Sequence, residues 1–282
     1  MQISFFTVFI SVVSLVIMAT PGFLLAKFNK LPEKASEALS AVVLYGCQPL
    51  LVFMSFQSYE YSAEIGRNML IVCGIAFAVH FIMIGLVSVL FRNKEDIKMK
   101  TVRYGSVFSN CGFMGIPFLS MLFSGKPEAG EILIYASVII AVFNILNWTV
   151  GVFMMTGNVK DMSVKKILLN PVIIAVVVGV IVFVTVKKPL VNLAAEGTTL
   201  HSVLNKLAAS LDFLGDAVTP LSMIVIGIKL ADVKVKQLFL DKKAYVTAFF
   251  KLVVMSFVAL LSVAFLPVSS SIKYTVFLLL SM

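Results

Sequence analysis

Residues 109–117 read SNCGFMGIP, which places one Asn, one Cys, two Gly and one Pro within nine positions. The flanks, TVRYGSVF at 101–108 and FLSMLF at 118–123, are apolar enough to lie in lipid. In hydrocarbon every backbone N–H and C=O needs a partner, and irregular backbone persists only against protein or a watery cavity. Gly112 and Gly115 permit unusual dihedrals, and Pro117 removes one donor and frees the carbonyl four residues earlier. Two readings compete: a helix broken around Gly112, or a kinked helix with glycine packing faces. Asn, two Gly and Pro together are more than a kink requires, which favours the break. A break exposes the carbonyl end of one half-helix and the amide end of the next. The first attracts cations and the second anions. Asn110 adds a donor and an acceptor beside them.

The rest of the chain places this break in a membrane. Of its 282 residues 60% are hydrophobic and only 13% charged, about half the charged share of a soluble domain. Apolar runs fall near 3–26, 36–56, 67–91, 101–123, 131–155, 170–186, 203–228, 244–267 and 272–282. That pattern is an all-α polytopic membrane protein whose surroundings are lipid. The first run lacks a basic n-region and is followed by others, so it reads as a retained helix rather than a signal peptide. The net charge of +9 does not indicate nucleic acid, because the basic residues sit in short connections rather than on one face of a soluble domain. Cys47, Cys73 and Cys111 lie inside apolar runs without metal spacing and read as small buried hydrophobes.

Lys and Arg concentrate in alternate connections: Lys27, Lys30 and Lys34; Arg92, Lys94, Lys98, Lys100 and Arg103; Lys160, Lys165 and Lys166; Lys229, Lys234, Lys236, Lys242 and Lys243. The other connections hold Arg67, Lys126, Lys187, Lys188, Lys206 and Lys273. The bias puts the first set in the cytoplasm and the N-terminus outside. Lys251 lies within a run, about two turns from its inner end, and reads as a snorkelling lysine.

Three pairs of segments match at one nearly constant offset of about 170 residues: LYGCQPLLVFM (44–54) with GDAVTPLSMIV (215–225), SVLF (88–91) with SVAF (262–265), and VRYGSVF (102–108) with IKYTVFL (272–278). Five spans separate each pair, so the halves 1–155 and 156–282 would face opposite ways. Secondary transporters use this inverted plan, with the site at midplane between the repeats.

SNCGFMGIPFLSMLFSG resembles the fourth span of the auxin efflux carrier family, whose pattern there is roughly N-x-G-F-x-G-x-P. Its bacterial members are malate or malonate permeases and general organic-anion transporters. LYGCQPLLVF, FNILNWTVGV, NPVIIAVVVGVIVF and TPLSMIVIGIKLA resemble its second, fifth, sixth and seventh spans, so the resemblance covers nearly the whole chain. It implies ten spans in two inverted five-helix repeats, with discontinuous fourth and ninth helices that cross at the substrate site. That fold is shared with bile acid symporters and sodium–proton antiporters and works by elevator-type alternating access. The family's second break would follow directly after LLLSM, so the second repeat is read as truncated in its ninth helix.

On this reading the substrate is a small organic anion, a dicarboxylate such as malate or malonate or an auxin-like carboxylate, carried across the cytoplasmic membrane. No cofactor or metal is expected beyond a coupled proton or sodium ion, and a homodimer is compatible. The resemblance makes Asn110 the residue that contacts a substrate carboxylate or coupling ion; its rival role is to stabilise the break. Gly112, Gly115 and Pro117 shape the break, and Phe113 either lines the pocket or packs. Pro49 and Pro220 kink two spans at similar depth, with Gln48 and Thr219 polar beside them. Asn144 and Asn147 either line the cavity or bond between helices. Asp216 and His80, ionisable inside spans, are candidate carriers of a coupling proton. There is no HExxH, GxSxG or Walker sequence, so an enzyme is not expected. The alternatives are a sodium-coupled carrier of the bile acid symporter type and a non-transporting receptor or scaffold that keeps the fold.

Overall fold

The structure is a computed structural model that describes residues 4–92, 96–108, 110–233 and 240–282. Ser109 of the quoted stretch, and Lys94, Lys234 and Lys236 of the charge pattern, lie outside the described residues. Among the described residues eight segments are long and apolar enough to cross a membrane, and there is no strand. They are α1 (Phe5–Lys27), α2 (Ala35–Ser55), α3 (Ala63–Leu90), α4 (Ile97–Leu122), α5 (Ala129–Thr156), α6 (Pro171–Leu193), α7 (Thr199–Ala231) and α8 (Lys242–Ala264). A shorter apolar helix, α9 (Ser270–Ser281), follows. The all-α polytopic membrane fold is therefore present.

Helix starts are set by capping. Each N-terminus leaves four N–H groups without an intrahelical acceptor. Ser4, Ser62, Asp96, Asn170, Thr198, Asp241 and Ser269 accept one or more of them with a side-chain oxygen. Such a cap contributes about 1 kcal/mol to a helix. The caps also move two expected boundaries. Ser62 starts α3 at Ala63, so Arg67 lies on the helix rather than in a connection. Arg103 is inside α4, buried, and its Nη2 donates to Ser88 Oγ of α3 at 3.1 Å, so it ties two spans together instead of sitting in a loop.

Four spans contain a π-helical turn: Val42–Cys47 in α2, Cys111–Gly115 in α4, Asn147–Gly151 in α5 and Phe250–Met255 in α8. Two of these answer a proline. The Gln48 N–H reaches back five residues to the Val43 carbonyl just before Pro49, and Ile116 does the same to Cys111 just before Pro117. Widening the turn by one residue absorbs the missing proline donor without a sharp bend.

The helices pack as two groups. One contains α1, α2, α6 and α7; the other contains α3, α4, α5, α8 and α9. The first is joined along α1 and α7 by two glycines. A Cβ on Gly22 would overlap the Ile224 carbonyl oxygen, and one on Gly227 would overlap the Ala19 carbonyl oxygen. Small residues bring membrane helices into backbone contact, which replaces the hydrophobic drive that lipid does not supply.

Candidate functional site

The α-helix of α4's first half ends at Val107. Phe108 is extended (φ −84°, ψ 128°), and Asn110 is also non-helical (φ −89°, ψ 45°). The N–H groups of Met114 and Gly115 both donate to the Asn110 carbonyl, at 3.0 and 3.3 Å, and open the π-turn. The helix is thus broken, but at Phe108 and Asn110 rather than around Gly112. Neither glycine has a positive φ. They serve close approach instead: a Cβ on Gly112 would lie 3.1 Å from Gln48 Nε2, and one on Gly115 would overlap the Leu279 side chain of α9.

The break faces a cavity of about 400 Å³ between the two helical groups, a size suited to a small molecule. One wall is α2 and the start of α6, with Tyr45, Gln48 and Asn170. The other is α4 and α5, with Tyr104, Phe108, Asn110, Asn147 and Trp148. Gln48, Asn110, Gly112, Phe113, Asn144 and Asn147, six of the residues expected from sequence, come together here.

Their hydrogen bonds differ. Asn144 is committed: its Nδ2 donates to the Ile140 carbonyl at 2.9 Å, and its Oδ1 accepts from Asn170 Nδ2 at 3.2 Å. Asn170 Oδ1 in turn caps α6. Asn147 Oδ1 accepts from the Tyr104 hydroxyl at 2.7 Å, which leaves its NH₂ for other partners. Gln48 is 2% exposed, and its Oε1 has no partner among the described residues. A buried amide atom without a partner costs about 1–3 kcal/mol unless something in the cavity satisfies it. Which amide atom is oxygen is itself an assignment, so either a donor or an acceptor of Gln48 is on offer.

No Asp or Glu lines this cavity among the described residues. A neighbouring cavity of about 420 Å³ shares Tyr45, Trp148, Asn170 and Pro171 with it and carries Lys165 and Lys166. The Lys166 ammonium sits over the Trp148 ring, 5.4 Å from its centroid.

The other expected residues lie outside the lining. Pro49 and Pro117 set the π-turns, and Gly115 contacts α9. Thr219 and Pro220 are on α7, half-buried and exposed respectively, and Asp216 is exposed at the end of that helix's first segment. His80 is fully buried on α3. Its Nδ1 is 2.7 Å from the Ala76 carbonyl, which makes Nδ1 the protonated nitrogen. Its ring lies 6.2 Å from that of Phe108, and it does not line the cavity. Among the described residues no group of three or more His, Cys, Asp or Glu could hold a metal ion.

Sequence reasoning missed Tyr45 and Trp148, which reach the cavity on π-turns, Asn170, which reaches it as a helix cap, and Tyr104, which reaches it from the last α-helical turn before the break; no short pattern announces these. It also misplaced Lys251. This lysine does not snorkel: it is 7% exposed, and its ammonium donates to the carbonyls of Val107 and Leu280 at 3.3 and 3.1 Å.

A membrane-embedded bundle with a broken helix opening on a polar cavity between two helical groups defines a membrane transporter. The family model described as "Membrane transport protein" matches residues 7–164 and 155–282, and the chain belongs to that family, the auxin efflux carriers. It is a family of transporters and not of enzymes. Comparison with curated proteins finds no match.

Proposed function

We propose that the protein carries a small organic anion, a dicarboxylate such as malate or malonate or an auxin-like carboxylate, across the cytoplasmic membrane. The observation that carries this reading is the cavity wall: amides, phenols and an indole converge on it, and no carboxylate among the described residues does. Such a wall offers donors to an anion and nothing to neutralise a cation. Asn110 at the break, Gln48 and the NH₂ of Asn147 are the groups assigned to the carboxylate. Lys165 and Lys166 in the adjoining cavity would raise the local anion concentration at its mouth.

The cavity's position between two helical groups supports alternating access by movement of one group against the other, as an elevator. The charge bias supports an N-terminus outside, and on that orientation Lys165 and Lys166 would lie at the cytoplasmic mouth. A reporter fused in the 92–100 connection should give a cytoplasmic signal, and an external one would reverse the topology.

The decisive experiment is uptake into proteoliposomes. Labelled malate, malonate and indole-3-acetate are offered under imposed proton, sodium and voltage gradients, with Asn110→Ala as the control. Flux of at least one acid, lost in the variant, is the expected result. Absence of flux under every gradient overturns carriage.

A further inference from the structure

Lys251 is a buried charge that the cavity does not use. It projects from the π-turn Phe250–Met255 of α8 into the gap behind the break. Its two acceptors are main-chain carbonyls on different helices: Val107, the last helical residue before the break, and Leu280 of α9. Val107 heads a carbonyl end without a continuing helix, which is where a cation is favoured. The one ion pair among the described residues is Lys243–Asp96 at 2.8 Å, so no described carboxylate is paired with Lys251. His80, whose Nε2 is buried without a described partner, and Cys111 of the break lie close enough to interact electrostatically with it.

A further cavity, about 560 Å³, runs between α4 and α8 to Lys251, and Lys98, Asp241 and Lys243 line it. With the Asp96 that pairs Lys243 counted, two ammonium groups and two carboxylates lie along this route before Lys251, so the positive charge a metal ion would meet at its end is that of Lys251.

We propose that the Lys251 ammonium is the resident cation of the broken helix. It occupies the position between two carbonyl-bearing segments that a coupling metal ion would otherwise fill, so the break is held without sodium. Lys251 is a positioning residue: it fixes Val107, and through it Phe108 and Asn110, from behind. The consequence for transport, that sodium is not required, rests on the carriage reading; the geometry and the stability test do not.

Purified protein in lipid nanodiscs is unfolded thermally while sodium or lithium chloride replaces choline chloride at constant ionic strength. Wild type should unfold at one temperature in all three salts. Lys251→Met, which keeps the length and loses the charge, should unfold at a lower temperature and exchange amide hydrogens faster across 104–118. A saturable rise with sodium or lithium in wild type overturns the proposal, as does wild-type unfolding and exchange in Lys251→Met. If that variant does not fold, the wild-type titration alone decides. Where uptake is measurable, replacing sodium by choline should leave it unchanged, and a strict sodium requirement overturns the proposal. Loss of all uptake would count against carriage while the unfolding arm still tests Lys251.

Discussion

The Tyr104 hydroxyl donates to Asn147 Oδ1 at 2.7 Å and so joins the first half of the broken helix to the π-turn of α5. The bond turns the Asn147 amide so that its NH₂ is the free end, facing a cavity that a carboxylate would enter. Tyr104→Phe removes the donor and lets the amide rotate. One net hydrogen bond is worth about 1 kcal/mol, so if the cargo is the proposed organic acid its KM should rise about fivefold. Concentration dependence of initial uptake in proteoliposomes measures this, with Tyr104→Phe compared at matched reconstitution.

Gln48 should show stability and function pulling apart. It is almost fully buried, and one amide atom is unpaired. Gln48→Met fills similar volume without polar atoms. Relief of the unsatisfied group should stabilise the protein by about 1 kcal/mol, while loss of a group proposed to bind the substrate should lower uptake. A melting curve and an uptake assay on the same preparation check both. A variant that is neither more stable nor less active contradicts the role assigned to Gln48.

The contact between α1 and α7 depends on the absence of two side chains. Gly22 and Gly227 each face a main-chain carbonyl of the other helix. Gly22→Leu or Gly227→Leu must separate the helices and should cost about 1–3 kcal/mol or more. Gly85→Ala on α3 is the control, because a Cβ there meets nothing within 4 Å. It should leave stability unchanged or raise it by up to about 1 kcal/mol. Thermal unfolding in detergent ranks the three.

Asp96 gives stability an acid limb. The Lys243 ammonium, and then the Lys98 N–H, hold its carboxyl below the ordinary value of 3.8. A depressed folded-state value means the contribution is fully present above the unfolded value, about pH 4, and is lost as pH falls through the folded one. Stability should therefore be flat with respect to this pair near neutrality and should decline only in acid. Asp96→Asn keeps an N-cap and removes the charge, so its stability should decline less in acid than that of wild type. High salt should shrink the difference, since both side chains reach solvent. Unfolding temperatures over an acid pH series, at low and high salt, measure it.

Much of this protein was legible in its composition and in local chemistry. Runs of about twenty apolar residues specify membrane helices because lipid leaves the backbone no partner outside its own segment. The Ser, Thr, Asp and Asn caps bound those helices to within a few residues. The cluster Asn110, Gly112, Gly115 and Pro117 announced a discontinuity, since no unbroken helix needs all four. Those properties act over a turn or two, so the chain carries them wherever it folds.

Distance in three dimensions was decided elsewhere. The non-helical residues are Phe108 and Asn110, while Gly112 and Gly115 admit Gln48 and Leu279 from other helices, contacts that only the packed bundle supplies. The cavity draws residues from α2, α4, α5 and α6, and three of those helices present them on π-turns, a backbone choice that responds to packing as well as to proline. Lys251 shows the difference most plainly. Seen along its own helix it is a lysine near a membrane surface. Only the convergence of Val107 and Leu280, 144 and 29 residues away in the chain, gives it two carbonyls to bond and a reason to stay inside.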